Sequence, residues 1–313
     1  MRILFMGTPD FAVFSLRALV EAGENVIGVI TQPDKPRGRG YELAPPPVKV
    51  YAQEKGLTVY QPTTLKGDEF AALLSDLDPE LIVVVAFGKI LPKNVLDYPR
   101  HGCINVHGSL LPAYRGAAPM QRAIIDGCAT TGITTMLMDV GLDTGDMLLK
   151  REIAIEETDN FEDIHDRLGA CGAETLIDTL AALKSGSLVP EKQDDALSTY
   201  AAKIEKADCL LNFSHCARAL HDRIRGLSPI PLAFTHTPDG KLLKILAARV
   251  SDAPCPADAR PGTVLALENG EITVACGNAT TLALTRVLPE GKGRMPAADF
   301  IRGRKIAVGD VLQ

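Results

Sequence analysis

Apolar and polar positions in the first half of the chain alternate between two periods. Residues 2–6 (RILFM) and 26–31 (VIGVIT) are continuous apolar, β-branched runs, the pattern of strands buried on both faces. Between them Phe11, Phe14, Leu16, Leu19 and Val20 fall mostly on one helical face, with Asp10 predicted as N-cap and Gly23 as the stop. The same rhythm predicts helices over 48–55 and 68–77 and strands over 57–60, 81–86 and 104–107. This alternation predicts an α/β fold, a doubly wound and mostly parallel sheet covered by helices on both faces. Ligands of such sheets sit beyond the carboxyl ends of the strands. Gly7-Thr8-Pro9, Ala86-Phe87-Gly88 and His107-Gly108-Ser109 are therefore expected along one rim.

Further on, 133–139 and 147–155 have strand composition, and 161–184 reads as a long helix ending near Gly186. Residues 189–206 are polar without strong periodicity and predict an interdomain linker. The texture then changes. A helix over 214–225 precedes strand-like pieces at 232–236, 242–250, 262–267, 271–276 and 280–287, with turn signals such as Pro238-Asp239-Gly240 and Glu268-Asn269-Gly270 between them. Short strands so spaced predict a small β-barrel of the oligonucleotide-binding type. The expected division is 1–188 for the α/β domain, 189–206 for the linker and 207–313 for the barrel.

A length of 313 residues suits two domains, and 46% hydrophobic with 23% charged residues excludes wholesale disorder. The longest apolar stretch, 81–87, is far too short for a bilayer, and the N-terminus lacks the apolar core of a secretory signal. A cytoplasmic, non-membrane protein is expected, as a monomer. Seven cysteines without a CxxC pair predict reduced thiols rather than a disulfide framework or zinc ribbon. The net charge of −6 conceals an asymmetry: residues 208–313 carry 13 basic and 10 acidic side chains, a balance of +3, leaving −9 for 1–207. A mildly basic tail is compatible with a polyanionic partner.

Gly7 follows the first strand, but Gly7-Thr8-Pro9-Asp10-Phe11-Ala12 lacks the second and third glycines of a dinucleotide-binding turn, and no GxxxxGK[ST] loop is present. No nicotinamide is implied. The histidines show no HExxH spacing, and no metal is expected. The most informative stretch is Asn105-Val106-His107-Gly108-Ser109-Leu110-Leu111-Pro112. On a strand, residues two apart share a face, so Asn105 and His107 emerge side by side. A carboxamide there can donate to a developing oxyanion, and an imidazole handles protons near neutral pH. Asp143, in a Gly- and Asp-rich loop, could pair with that imidazole. Taken alone, Asn-x-His on a strand is more often a hydrogen-bonded structural pair. Cys103 shares the face but sits nearer the buried middle of the strand, where packing is its expected role.

The run His107-Gly108-Ser109-Leu110-Leu111-Pro112, followed by Tyr114-Arg115-Gly116-Ala117-Ala118-Pro119, resembles the signature of folate-dependent formyltransferases. Gly141-Leu142-Asp143-Thr144-Gly145 is similar to their second motif, and Met6-Gly7-Thr8-Pro9-Asp10-Phe11 and Thr31-Gln32-Pro33-Asp34-Lys35-Pro36 extend the likeness. The resemblance implies a catalytic trio of Asn105, His107 and Asp143 and a 10-formyltetrahydrofolate donor contacted by Ser109, Leu110, Leu111 and Pro112. It further implies a pterin pocket walled by Ala86, Phe87, Gly88, Ile90 and Leu91, although Phe87 and Leu91 are equally well read as core. Ser109 is not expected as a nucleophile, because GxSxG is absent.

The resemblance is closest to the branch whose acceptor is the amino group of charged initiator methionyl-tRNA, with an amino sugar or glycinamide ribonucleotide as the alternative. Two features favour tRNA: the added basic C-terminal domain, and the loop 33–45, long for an α/β connection. Lys35, Arg37 and Arg39 on that loop can neutralise phosphates, as can Arg302 and Arg304 in the tail. One departure is that Tyr41 and Glu42 stand where many relatives resemble a further Lys/Arg pair.

Overall fold

The computed structural model describes residues 1–37 and 42–313, with the backbone alone for Arg37 and Glu42. The chain packs as two compact units. The first comprises 1–116, 131–153 and 165–201; the second comprises 117–130, 154–164 and 202–313.

In the first unit β1 (Ile3–Gly7), β2 (Val26–Ile30), β5 (Val59–Tyr60), β6 (Leu81–Val85) and β7 (Cys103–His107) pair in parallel. The short β3 (Lys35–Arg37) and β4 (Glu42–Ala44) form a separate antiparallel ribbon. β9 (Thr130–Leu137) joins β7 antiparallel, and β10 (Met147–Ala154) is the outer strand, so the sheet order is β10-β9-β7-β6-β1-β2-β5. β8 (Arg115–Gly116) and β11 (Tyr200–Ala201) make a small parallel pair of their own. The mostly parallel architecture expected from the sequence is present. Every residue of β1 and of β6 is buried, as their unbroken apolar runs require. By contrast β10 alternates buried and open positions along most of its length, as a half-exposed edge does.

Helix α1 (Asp10–Glu21) buries Phe11, Ala12, Ser15, Leu16 and Leu19 at the spacing of one helical face. Asp10 is not its N-cap. Pro9 holds that position, and the Asp10 carboxylate accepts from the Phe11 amide at 3.0 Å from inside the first turn. Helices α2 (Pro47–Glu54), α3 (Asp68–Leu77) and α4 (Lys93–Leu96) follow, then α5 (Pro119–Ile125) and the 25-residue α6 (Phe161–Ser185).

Residues 189–206, expected as a linker, are bonded largely within the first unit. Glu191 and Met147 exchange two main-chain hydrogen bonds of 2.8 Å, a 3-10 turn covers Asp195–Leu197, and β11 pairs with β8.

The second unit is an antiparallel sheet of β12 (Ala233–His236), β13 (Leu242–Ser251), β14 (Val264–Glu268), β15 (Glu271–Cys276), β16 (Thr280–Pro289) and β17 (Met295–Pro296). Its order is β12-β13-β16-β15-β14, with β17 on β16. Register shifts in β13 near Ala247 increase its local twist, as bulges do. Helix α7 (Ala217–Gly226) and α8 (Ala297–Arg302) contribute Leu220, Ile224 and Phe300 to the same core as Ile245, Val274 and Leu284.

Candidate active site

The order β7-β6-β1 brings the three expected rim loops side by side at the carboxyl ends of those strands. Gly7 serves close packing there. A Cβ on it would lie 2.8 Å from Ala12 Cβ and 3.1 Å from Val85 O, so the chain turns from strand to helix without room for a side chain. Hydrogen bonds then tie the rim together. Thr8 Oγ1 and Gln32 Nε2 both donate to Phe87 O at 3.1 Å, and Gln61 Nε2 donates to Gln32 O at 2.8 Å. Lys49 Nζ holds the Asp34 carboxylate at 2.8 Å, and the hydrogen bonds of Lys49 and Gln61 keep that carboxyl below its usual range.

Asn105 lies opposite Val84 on β6 and Met136 on β9, and His107 lies opposite Thr134. The Asn105 carboxamide has no hydrogen-bond partner among the described residues, so its donors remain available. Cys103, on the same face, is buried with its thiol near Val95 O, and burial pushes that thiol up to about 12. It is a packing group.

After β7 the chain folds tightly. Ser109 Oγ donates to Ala113 O at 2.6 Å, while Thr134 Oγ1 donates to Ser109 O at 2.7 Å and accepts from Leu111 N at 3.0 Å. The Leu111–Pro112 bond is cis, and Tyr114 takes a left-handed φ of 59°. Tyr114 O lies 2.9 Å from His107 Nε2. A carbonyl only accepts, so Nε2 carries its proton in either charge state, and Nδ1 is the nitrogen left to gain or lose one.

Asp143 faces that nitrogen. Its Oδ2 is 3.7 Å from His107 Nδ1, with side-chain exposures of 13% and 6% respectively. The separation is too long for a hydrogen bond but short enough for attraction to an imidazolium. The same Oδ2 accepts from Gly116 N at 2.8 Å. The loop that presents Asp143 is built by turn chemistry. Asp139 Oδ1 accepts from Gly141 N at 2.9 Å and from Thr144 Oγ1 at 2.6 Å, and Asp143 itself has φ 54°. Gly145 closes the loop where a Cβ would stand 1.7 Å from Leu137 O. Gln193 Nε2 donates to both Asp143 O and Gly145 O at 2.8 Å.

The residues expected to contact the donor divide by exposure. Ala86, Gly88 and Ile90 are exposed, and Leu110 and Pro112 are half-buried. Phe87 and Leu91 are buried in the core beside Val84 and Val95, and Leu111 is buried against Met136 and Met147. Ser109 is fully buried with its hydroxyl turned onto Ala113 O, so these four side chains shape the rim from beneath. Among the expected tRNA contacts, Lys35 is exposed on the β3–β4 ribbon. Arg37 pairs with Glu42 through the backbone, while its side chain and all of Arg39 lie outside the described residues. Arg302 is exposed but paired with Asp299, and Arg304 is exposed at φ 49°. The α7 arginines are engaged: Arg218 with Glu157, Arg223 with Asp208 O at 2.8 Å, and Arg225 with Asp222 at 2.8 Å. In the second unit a hollow of about 370 Å³ is bordered by Asn212, Ser214, Arg260 and Gln313 among others, and none of the expected site residues lines it.

A model of the formyl transferase family matches residues 1–180, and a model of the formyl transferase C-terminal domain matches 203–305. The chain belongs to the formyl transferase family. It is 50% identical over 311 residues to a methionyl-tRNA formyltransferase of Bacillus subtilis, covering 99% of this chain and 97% of that one. A methionyl-tRNA formyltransferase of Geotalea daltonii is 49% identical over 309 residues, covering 99% and 97%. Among solved structures the fold is similar to an N-formyltransferase of Helicobacter canadensis in complex with folinic acid and dTDP-3-aminofucose, at TM-score 0.68 and 17% identity over 90% of this chain and 98% of that one. It is also similar to HypX of Aquifex aeolicus in complex with tetrahydrofolic acid, at TM-score 0.63 and 17% identity over 96% of this chain and 47% of that one. Among the described residues of this formyl transferase no helix is long and apolar enough to cross a membrane.

Residues that the sequence reading passed over include Thr134, which buttresses the 109–111 turn, and Gln193, which holds the Asp143 loop. The paired threonines Thr134-Thr135 inside the strand-like segment 133–139 were a usable signal for the first. Nothing in the aperiodic stretch around Gln193 marked the second.

Proposed function

We propose that this formyl transferase moves the formyl group of 10-formyltetrahydrofolate to the amino group of methionyl-initiator tRNA, giving the formylmethionyl-tRNA used in translation initiation. The observation that carries the chemistry is the facing of His107 Nδ1 and Asp143 Oδ2 at 3.7 Å, with Asn105, which has no hydrogen-bond partner among the described residues, on the same strand face as His107. The acceptor assignment rests on likeness along nearly the whole chain to relatives of that name.

On this reading the acceptor nitrogen attacks the formyl carbon directly. The carbonyl π-pair moves onto oxygen, where the Asn105 amide and protonated His107 offer hydrogen bonds to the oxyanion. Asp143 assists removal of the proton from the attacking nitrogen. Collapse of the tetrahedral intermediate breaks the bond to the folate nitrogen, which leaves with a proton. Exposed Ala86, Gly88 and Ile90 with half-buried Leu110 and Pro112 border the space for the donor, and Lys35 with Arg37 and Arg39 would meet acceptor-stem phosphates. The first unit would supply catalysis and the second further tRNA contact.

The test is transfer of radiolabelled formyl to charged initiator tRNA, with an amino sugar nucleotide and glycinamide ribonucleotide as parallel acceptors. Labelled methionyl-tRNA and unlabelled small amines are expected. Transfer to a small amine with indifference to tRNA would overturn the acceptor assignment.

A further inference from the structure

We infer that residues 191–201 form a strap that sets the Asp143 carboxylate against His107, with Gln193 as its principal positioning residue; this rests on the trio read above as the reacting centre. The Gln193 amide is oriented by three hydrogen bonds. Its Nε2 donates to Asp143 O and Gly145 O, both at 2.8 Å, and its Oε1 accepts from Arg115 Nε at 2.9 Å. A reversed amide would set oxygen against two carbonyls and nitrogen against a guanidinium, so the arrangement is single-valued.

Those two carbonyls bracket the turn that presents Asp143. The turn has little freedom of its own, with Asp143 left-handed and Gly145 pressed on Leu137 O. What it needs is a brace against rotation as a body, and the amide bridging its two ends supplies one. The brace continues into the carboxylate's other support. Arg115, whose Nη2 is also held by Asp195 at 2.8 Å, immediately precedes Gly116, and the Gly116 N–H holds Asp143 Oδ2. Gln193 therefore grips Asp143 from the main-chain side directly and from the carboxylate side through Arg115 and Gly116.

The same strap reaches the imidazole. Thr199 Oγ1 accepts from Tyr114 N at 2.8 Å, and Thr199 O accepts from Arg115 N at 2.9 Å. Tyr114 O is the acceptor of His107 Nε2. Both groups that flank the His107–Asp143 pair are thus anchored on one short segment. Fastening that segment in place is already accomplished by the Glu191–Met147 exchange and the β8–β11 pairing. The side-chain bonds of Gln193 go beyond fastening, and they converge on the turn that carries the carboxylate.

The experiment compares full-length wild type with Gln193→Leu, Gln193→Glu, Asp143→Asn and Gln193→Leu/Asp143→Asn in steady-state formyl transfer. A 1 Å misplacement of a reacting group costs on the order of a hundredfold, so Gln193→Leu is expected to lower kcat about tenfold to a hundredfold, with both KM values within about threefold. The double variant is expected to be no slower than Asp143→Asn alone, because the amide acts through that carboxylate. Gln193→Glu gives a signature independent of how well the leucine variant folds. Its ionised carboxylate opposes the two carbonyls, whereas its protonated form donates to one of them, so its kcat relative to wild type should recover as pH falls. Unchanged kcat in Gln193→Leu, additive losses in the double variant, or a Gln193→Glu profile parallel to wild type would each overturn the strap. Full activity in Asp143→Asn would instead overturn the reading of the site.

Discussion

Thr134→Val removes one hydroxyl from beneath the turn that follows His107, and its consequence can be worked out group by group. Thr134 is fully buried, and its Oγ1 serves two main-chain groups, donating to Ser109 O and accepting from Leu111 N. Valine keeps the shape but leaves a buried carbonyl and a buried N–H without that partner, each at about 1–3 kcal/mol. Partial relaxation of the turn puts the expected loss near the lower half of the sum, roughly 2–4 kcal/mol. Thr134→Ser is the informative control. It keeps both bonds and loses one methyl, about 0.8 kcal/mol of transfer free energy with a small cavity term added. The predicted order of stability is therefore wild type, then serine, then valine, although valine is the more apolar and the better β-former. Urea unfolding followed by circular dichroism reads the order directly, and kcat should fall with it because Tyr114 O depends on the same turn. If serine proves more damaging than valine, packing rather than hydrogen bonding sustains the turn and the reasoning fails.

Two further outcomes follow. Asn105→Ala removes a donor that has no partner among the described residues, so stability should change little while kcat falls about 10²–10³-fold, the usual cost of an oxyanion donor; a kcat within about twofold of wild type would remove Asn105 from the mechanism. His165→Asn should reveal a pH-dependent tie between α6 and α1. The Asp10 hydrogen bond, against partial burial and with help from Asp166, raises the His165 pKa, and the same bond lowers that of Asp10. A raised histidine value means stability that is fully present below the unfolded pKa, near 6.5, and lost as pH rises through the folded value; a lowered aspartate value means stability lost only in acid, below about 4. The gap in urea midpoint between wild type and variant should thus be widest near pH 5–6 and shrink toward pH 8.5, and a gap constant over that range would show that the charge on His165 contributes nothing.

Legibility in the sequence followed the kind of force at work. Strands β1 and β6 are unbroken apolar runs, and burial on both faces leaves them no other reading, so the rim they end on could be located before any coordinates. Period-two geometry likewise put Asn105, His107 and Cys103 on one face of β7, and it separated the packing cysteine from the polar pair by depth. The N-terminus of α1 was less legible, because Asp10 is an apt cap by type and only the geometry of Pro9 reveals that the helix starts one residue earlier in role. The segment 189–206 has the sequence character of a linker for a comparable reason. Its residues make their contacts through single polar side chains and short main-chain pairings, which leave no hydrophobic period to detect. Gln193 and Thr199 reach residues about 50 and 85 positions away, Asp143 and Tyr114.

The gap of 3.7 Å between His107 and Asp143 is as informative as their approach. Had the carboxylate closed to hydrogen-bond distance, the Nδ1 proton would be committed within the protein, since Nε2 is already committed to Tyr114 O. Gly116 N, holding Oδ2 at 2.8 Å, competes for that oxygen and keeps it back. The imidazole therefore retains one uncommitted edge, and the oxygen nearest it is an acceptor whose lone pairs are only partly used. A reacting amine that must lose a proton while a neighbouring oxygen gains negative charge needs an acceptor and a donor in adjacent positions, neither satisfied beforehand. On the proposed reading Asp143, His107 and the Asn105 amide, which has no hydrogen-bond partner among the described residues, supply that combination. The turn 143–145 is held from outside by Gln193, and residues 114–115 by Thr199, contacts that on the inferred strap keep these polar groups from satisfying one another.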